Sequence, residues 1–284
     1  MLNLSPYFPI DSDPSEPWFP GLAPELASGL NMGVWGPDYG SERWLRGDPE
    51  GQREALHLIR RGGHALCIEA PSEFLLSRYD PLGLQLSASC TPAESDLVER
   101  ALDRIARVPT LFASILALVR SMHLLVADEG YDVSHSDPAL PFSIFCSVPS
   151  GQPQAELRLA ESIIHEGMHL QLTLLEARYP LVRSDEETKL FSPWQGVDRP
   201  LGGLIHGLYV FTVIDAFLAR TSGGAPDDEQ AFIDKRRATI AAEMDEVQGL
   251  EDQAGLTDCG REFLRIIRVQ RLGITGRGSL RSSR

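Results

Sequence analysis

A chain of 284 residues, 43% hydrophobic and 23% charged, has the balance of a globular protein with ample core. Its 26 Lys and Arg stand against 40 Asp and Glu, a formal charge of −14, which would repel a phosphate backbone and argues against a nucleic-acid partner. Cys67, Cys90, Cys146 and Cys259 form no CxxC pair, MLNLSPYFPIDSDPSEPW lacks the features of a secretory signal, and no apolar run reaches membrane length. The expectation is a protein of the reducing cytoplasm with no membrane span, no disulfide framework and no structural zinc.

Residues 1–47 are rich in Pro, Gly and Asp and carry Trp18, Phe19, Trp35, Tyr39 and Trp44. So many aromatics are foreign to a disordered tail, and the segment reads as an irregular arm packed on the domain. Residues 48–61 begin with Asp48 and Pro49 and run into Gly62-Gly63, which predicts a helix containing His57. Residues 64–88 read as short strands or loops. Thr91-Pro92-Ala93-Glu94 is a helix start, followed by Leu97, Ala101, Ile105 and Val108 at helical spacing. Pro109 interrupts, and a second apolar helix covers 111–119. Strands are predicted from Ser121 to Val126 and over 143–148, joined by a turn-rich connection.

A long helix then spans 154–179, stopped by Pro180. Residues 180–200 read as a loop, and 201–218 as a helix apolar nearly all round. Helices follow over 227–250 and 257–272, and the Gly/Ser-rich basic tail 273–284 is predicted to be disordered. The fold class expected is mostly α with a small β-sheet (α+β), a single helical catalytic domain over 48–272.

The long helix carries His165-Glu166-Gly167-Met168-His169. Positions i and i+4 share a helix face, so both imidazoles can bind one metal ion. An amphipathic helix with its histidines in solvent has the same periodicity. His206 lies inside the apolar helix among Gly202, Gly203 and Gly207. A buried imidazole needs a partner, and the glycines would let a helix or ligand approach closely. Beside a two-histidine motif, His206 is the best third ligand.

Two chemistries suit such a metal. A zinc peptidase would use Glu166 as the base that takes a proton from water, with Glu186, Glu187 or His206 as third ligand. The metzincin continuation is absent after His169. A non-haem iron oxygenase would use three facial ligands, plus an arginine for the carboxylate of 2-oxoglutarate. Arg199 and Arg183 are the candidates. A non-catalytic peptide-binding helical domain is the remaining alternative.

The segments SHSDPALPFSIFCSVP (134–149), LAESIIHEGMHLQLTLLE (159–176) and SPWQGVDRPLGGLIHGLYVF (192–211) together resemble the α-ketoglutarate-HExxH-type peptide β-hydroxylases. These are HExxH-motif proteins of ribosomal peptide natural-product pathways. The resemblance covers about residues 120–220. It implies Fe(II), 2-oxoglutarate and O2 as cofactor and co-substrates, and hydroxylation at a β-carbon of a ribosomally made precursor peptide. It also implies His165, His169 and His206 as iron ligands and Arg199 as the residue for the 2-oxoglutarate carboxylate. In that chemistry no protein base is required, so Glu166 would orient a ligand or touch substrate. Gln195 stands where the resemblance leads one to expect a basic residue, and His135 reads as a polar turn residue or a pocket lining.

Overall fold

The computed structural model describes residues 16–29 and 55–281, save 62, 141 and 248. It is 54% helical with 16% strand, mostly α with a small sheet. The chain divides into two compact units, Met1–Leu22 with Leu172–Arg284, and Ala23–Gln171.

The unit Ala23–Gln171 is built on a five-stranded mixed sheet. Its strands are β1 (Ala55–Arg61), β2 (His64–Glu69), β3 (Ser121–Leu125), β4 (Ser134–His135) and β5 (Ser143–Ser147), in the order β1-β2-β3-β5-β4. β2, β3 and β5 run parallel, and antiparallel β1 and β4 close the edges. Residues 55–61 are therefore a strand, correcting the helix expected over 48–61; residues 48–54 lie outside the described residues. A short apolar run fits either period, and here long-range pairing decides. β1 meets β2 from Ala55↔Glu69 to Arg61↔His64, and Gly63, at φ 81°, serves the hairpin turn rather than a helix stop.

The 64–88 stretch is also more ordered than expected. Beyond β2 it holds helix α2 (Glu73–Tyr79), following α1 (Leu22–Gly29) in chain order. Ser72 caps α2 by accepting from the Leu75 amide, and Leu75 and Tyr79 bury one face. Helix α3 (Pro92–Ile105) opens with the full Thr91/Glu94 capping box, and Pro109 begins α4 (Pro109–Leu118). Helix α5 (Ala155–Arg178) carries the HExxH motif. It lies close on α4 because position 167 is glycine: a Cβ there would meet Ile115 Cδ1 at 2.5 Å.

Leu75, Tyr79, Leu125, Leu140 and Phe145 form a core cluster that ties α2 to the sheet. Its polar latch is Asp137, which accepts from Tyr79 Oη at 2.9 Å and Arg78 Nε at 2.8 Å. Burial pushes the Asp137 carboxyl up. The Ala139 amide, Arg78 and Tyr79 together outweigh burial and hold it below the ordinary range. A carboxylate depressed by folding stabilises above its unfolded pKa, about 4, and loses that contribution as pH falls through the folded value. Urea unfolding from pH 5 to pH 2 is thus expected to show an acid loss that Asp137→Asn removes. At neutral pH the same variant should be weaker by about 1.5 kcal/mol, the worth of a charged hydrogen bond at a partly exposed site.

In the other unit, 180–200 is more than a loop, because it contains the antiparallel hairpin β6 (Lys189–Ser192) and β7 (Val197–Pro200). Helix α6 (Leu201–Thr221) leaves β7 directly and is followed by α7 (Asp227–Asp245) and α8 (Asp258–Arg281). Helix α6 is long and apolar enough to cross a membrane, yet 72% of its apolar window is buried, as in a core helix. Tyr209 on α6 packs with Phe19 and Phe263 at centroid distances of 6.0 and 5.6 Å, and Trp18 lies under Arg220. Trp18 and Phe19 are thus core residues of this unit. Helix α7 ends before 250, and Gly249 turns the chain at φ 73°. Helix α8 continues to Arg281, through residues whose composition predicted disorder; extending an existing helix is far easier than starting one.

Candidate metal centre

His165 and His169 sit on successive turns of α5 with their Nε2 atoms 3.1 Å apart. Two nitrogens about 2.1 Å from one ion are about 3.0 Å apart at a right angle and about 3.4 Å apart at the tetrahedral angle. The observed separation therefore suits two vertices of one coordination polyhedron. The His165 side chain is 27% exposed, so the pair is reachable.

Glu166 is only 3% exposed. Its Oε1 accepts from Ser134 Oγ and its Oε2 from Ser136 Oγ, both at 2.6 Å. Oε1 also lies 3.9 Å from His165 Nε2. Among the described residues no Lys or Arg forms an ion pair with this side chain, so its close partners are the two serine hydroxyls and, farther off, His165. The buried thiol of Cys146 is no substitute: burial, then the Glu166 charge, push it well above the ordinary range, so it stays protonated.

The remaining candidates lie in the other unit. His206 Nε2 is 2.8 Å from Glu176 Oε2, a carboxylate on the last turns of α5. Gly207 beside it makes room for neither a helix nor a ligand: a Cβ there would meet Trp194 Cε3 and Cζ3 at 2.5 Å. The indole comes from the β6–β7 turn and stacks on Phe211 at 5.3 Å. Arg199 is exposed, folds across Gly203, and donates from Nη1 to Gln195 Oε1 at 2.8 Å. Gln195, the departure from the expected basic residue, is thus what holds this arginine. Arg183 is exposed and forks onto Asp185 through Nε and Nη2, at 3.0 and 2.8 Å.

The structure thus brings together His165, His169 and Glu166. It gives His206, Arg199 and Arg183 separate partners. Among the described residues, no group of three or more His, Cys, Asp or Glu is arranged to hold a metal. The other histidines have structural settings. His57 bonds Glu99 at 3.1 Å, and His135 packs edge-on to Tyr79 at 5.6 Å.

Sequence reasoning missed Ser134 and Ser136, whose one signal is the alternation Ser-x-Ser ahead of a buried strand. It also missed Arg120, in the same unit as the histidine pair. Arg120 donates from Nη1 to His64 Nδ1 at 2.9 Å. Burial pulls its pKa down, and among the described residues no carboxylate restores it. No protein-family model matches the chain, and no curated protein matches it significantly.

Proposed function

We propose that the chain is a non-haem Fe(II)/2-oxoglutarate-dependent hydroxylase acting on a β-carbon of a ribosomally made peptide, with His165, His169 and His206 as iron ligands. One observation supports the metal: two imidazole nitrogens 3.1 Å apart, beside a buried glutamate that among the described residues has no Lys or Arg partner. Both features call for a cation at that point. The choice of chemistry rests on the resemblance of the three motif segments to the peptide β-hydroxylases.

When bound, the iron would couple conversion of 2-oxoglutarate and O2 to succinate and CO2 with replacement of a peptide C–H by C–OH. His165 and His169 would hold the ion through Nε2. The Glu176 carboxylate, 2.8 Å from His206 Nε2, would fix the orientation of that ring. For the co-substrate's distal carboxylate, Arg199 keeps N–H groups beyond the one given to Gln195. Arg120 is a second candidate, since a half-buried guanidinium that has no carboxylate partner among the described residues suits an incoming anion. A reducing cytoplasm suits both ferrous iron and four free thiols.

A zinc peptidase is the second reading, favoured by the 3.9 Å between Glu166 Oε1 and His165 Nε2, close enough for Glu166 to reach a water on the same ion. Stripped protein reconstituted with Fe(II) under air is expected to form succinate from 2-oxoglutarate and add one oxygen atom to a precursor peptide encoded beside its gene. No succinate with iron, together with peptide cleavage with zinc, makes the protein a peptidase. Neither activity with either metal leaves a peptide-binding domain.

A further inference from the structure

We infer that Arg120, held in place by His64, is a binding site for an oxyanion of a small ligand, a carboxylate or a phosphate. Such a site needs no metal and stands whether or not the chain is a hydroxylase, so it reaches beyond the co-substrate role named for Arg120 above.

In a chain this acidic, arginines find carboxylates easily. Arg61 meets Glu99, Arg78 meets Asp137, Arg158 meets Asp132 and Arg237 meets Asp215. Arg120 is half-buried, yet among the described residues its side chain has one partner, the ring of His64, whose Nδ1 accepts from Nη1 at 2.9 Å. Burial, then the Arg120 charge, lower the His64 pKa, so the ring is neutral and able to accept. An imidazole there restrains the guanidinium without cancelling its charge, as a carboxylate would. The bond takes one N–H of five and leaves Nε and Nη2. With that same edge Arg183 and Arg265 fork onto Asp185 and Glu262. The backbone of Arg120 is fixed on both sides. Its carbonyl accepts from the Cys67 amide at 2.9 Å, on the strand that His64 begins, and its amide donates to Phe142 O at 2.9 Å. The Ser121 amide donates to the same Phe142 oxygen at 3.0 Å. Phe142 presents that oxygen at φ 68°, a left-handed conformation that a bulky residue seldom adopts. Strain of this kind persists where the surroundings over-determine it, and it clusters at ligand sites. The guanidinium is thus ordered before a ligand arrives, which lowers the ordering cost of binding.

Full-length protein, stripped of metal on a chelating resin, is titrated with succinate and separately with inorganic phosphate by calorimetry at constant ionic strength. Saturable binding of either probe at one site per chain is expected, and the probe that binds tells which oxyanion the site serves. Arg120→Gln should weaken that binding about tenfold or more, the worth of charged hydrogen bonds. Arg120→Lys keeps the charge without the fork and should fall between. Should Arg120→Gln not fold, two substitutions of His64 decide the matter. His64→Asp puts a carboxylate where Nδ1 stands, so it should pair with Arg120 and abolish anion binding in a protein that circular dichroism shows folded. His64→Asn puts a neutral acceptor in the same place and should retain binding, a contrast that a merely structural role for His64 would not give. Heats no different from those of chloride with both probes overturn the site. So does equal affinity in His64→Asp and His64→Asn. Either result leaves the hydroxylase reading to its own measurement, succinate formation with iron.

Discussion

Replacing His165 with alanine is expected to weaken Fe(II) or Co(II) binding by more than about a hundredfold, beyond the ten- to hundredfold typical of outer partners. The 3.1 Å Nε2 pair is the nucleus of the proposed site, and removing either nitrogen leaves one imidazole and a glutamate hydrogen-bonded to two serines. His169→Ala should match it. His57→Ala, whose ring is tied to Glu99, should keep full metal content and serves as the control. His206→Ala is the informative comparison. A loss like that of His165→Ala places it among the ligands. Unchanged metal content in atomic absorption would remove it and leave Glu176–His206 as a hydrogen bond internal to its unit.

Gly260→Ala is expected to be the costliest small substitution. Helix α8 is joined at its start to the exit of α5. Thr257 Oγ1 donates to Pro180 O at 2.6 Å and accepts from the Gly260 amide at 3.0 Å, and the Thr257 amide donates to Leu181 O at 3.0 Å. A Cβ on Gly260 would overlap the Leu181 carbonyl oxygen, backbone that these bonds hold in place. Alanine gains about 1 kcal/mol of helix propensity, but the overlap should outweigh it and leave a net loss of about 2 kcal/mol. For a protein of this size that is a fall in melting temperature of about 4–8 °C, readable by circular dichroism. An unchanged melting temperature would mean that the Pro180–Leu181 segment yields freely.

What could be read from sequence was local chemistry. The Thr91/Glu94 capping box, the proline opening α4 and the i, i+4 histidines each depend on residues within one or two turns, and all lie in helices as expected. What could not be read depended on distant partners. Residues 55–61 look helical until β2 pairs with them. The two serine donors to Glu166 were hidden because they lie 32 and 30 residues away in the chain. The glycine after His206 suggested space for a helix or ligand, and the indole of Trp194 fills it. A short polar hairpin such as β6–β7 leaves almost no periodic trace, since Lys189–Ser192 and Val197–Pro200 are mostly exposed on both faces.

The segment around β4 is read from both sides. Ser134 and Ser136 face Glu166, while His135 packs on Tyr79 and Asp137 latches Arg78 and Tyr79. Along four consecutive residues, every second side chain holds Glu166 and those between serve the core. A lesion in one set is therefore felt by the other. Arg78→Ala or Asp137→Asn, far from any ligand by function, should loosen the rail on which both serines ride. Such variants would disturb the surroundings of Glu166 and at the same time lower the melting temperature.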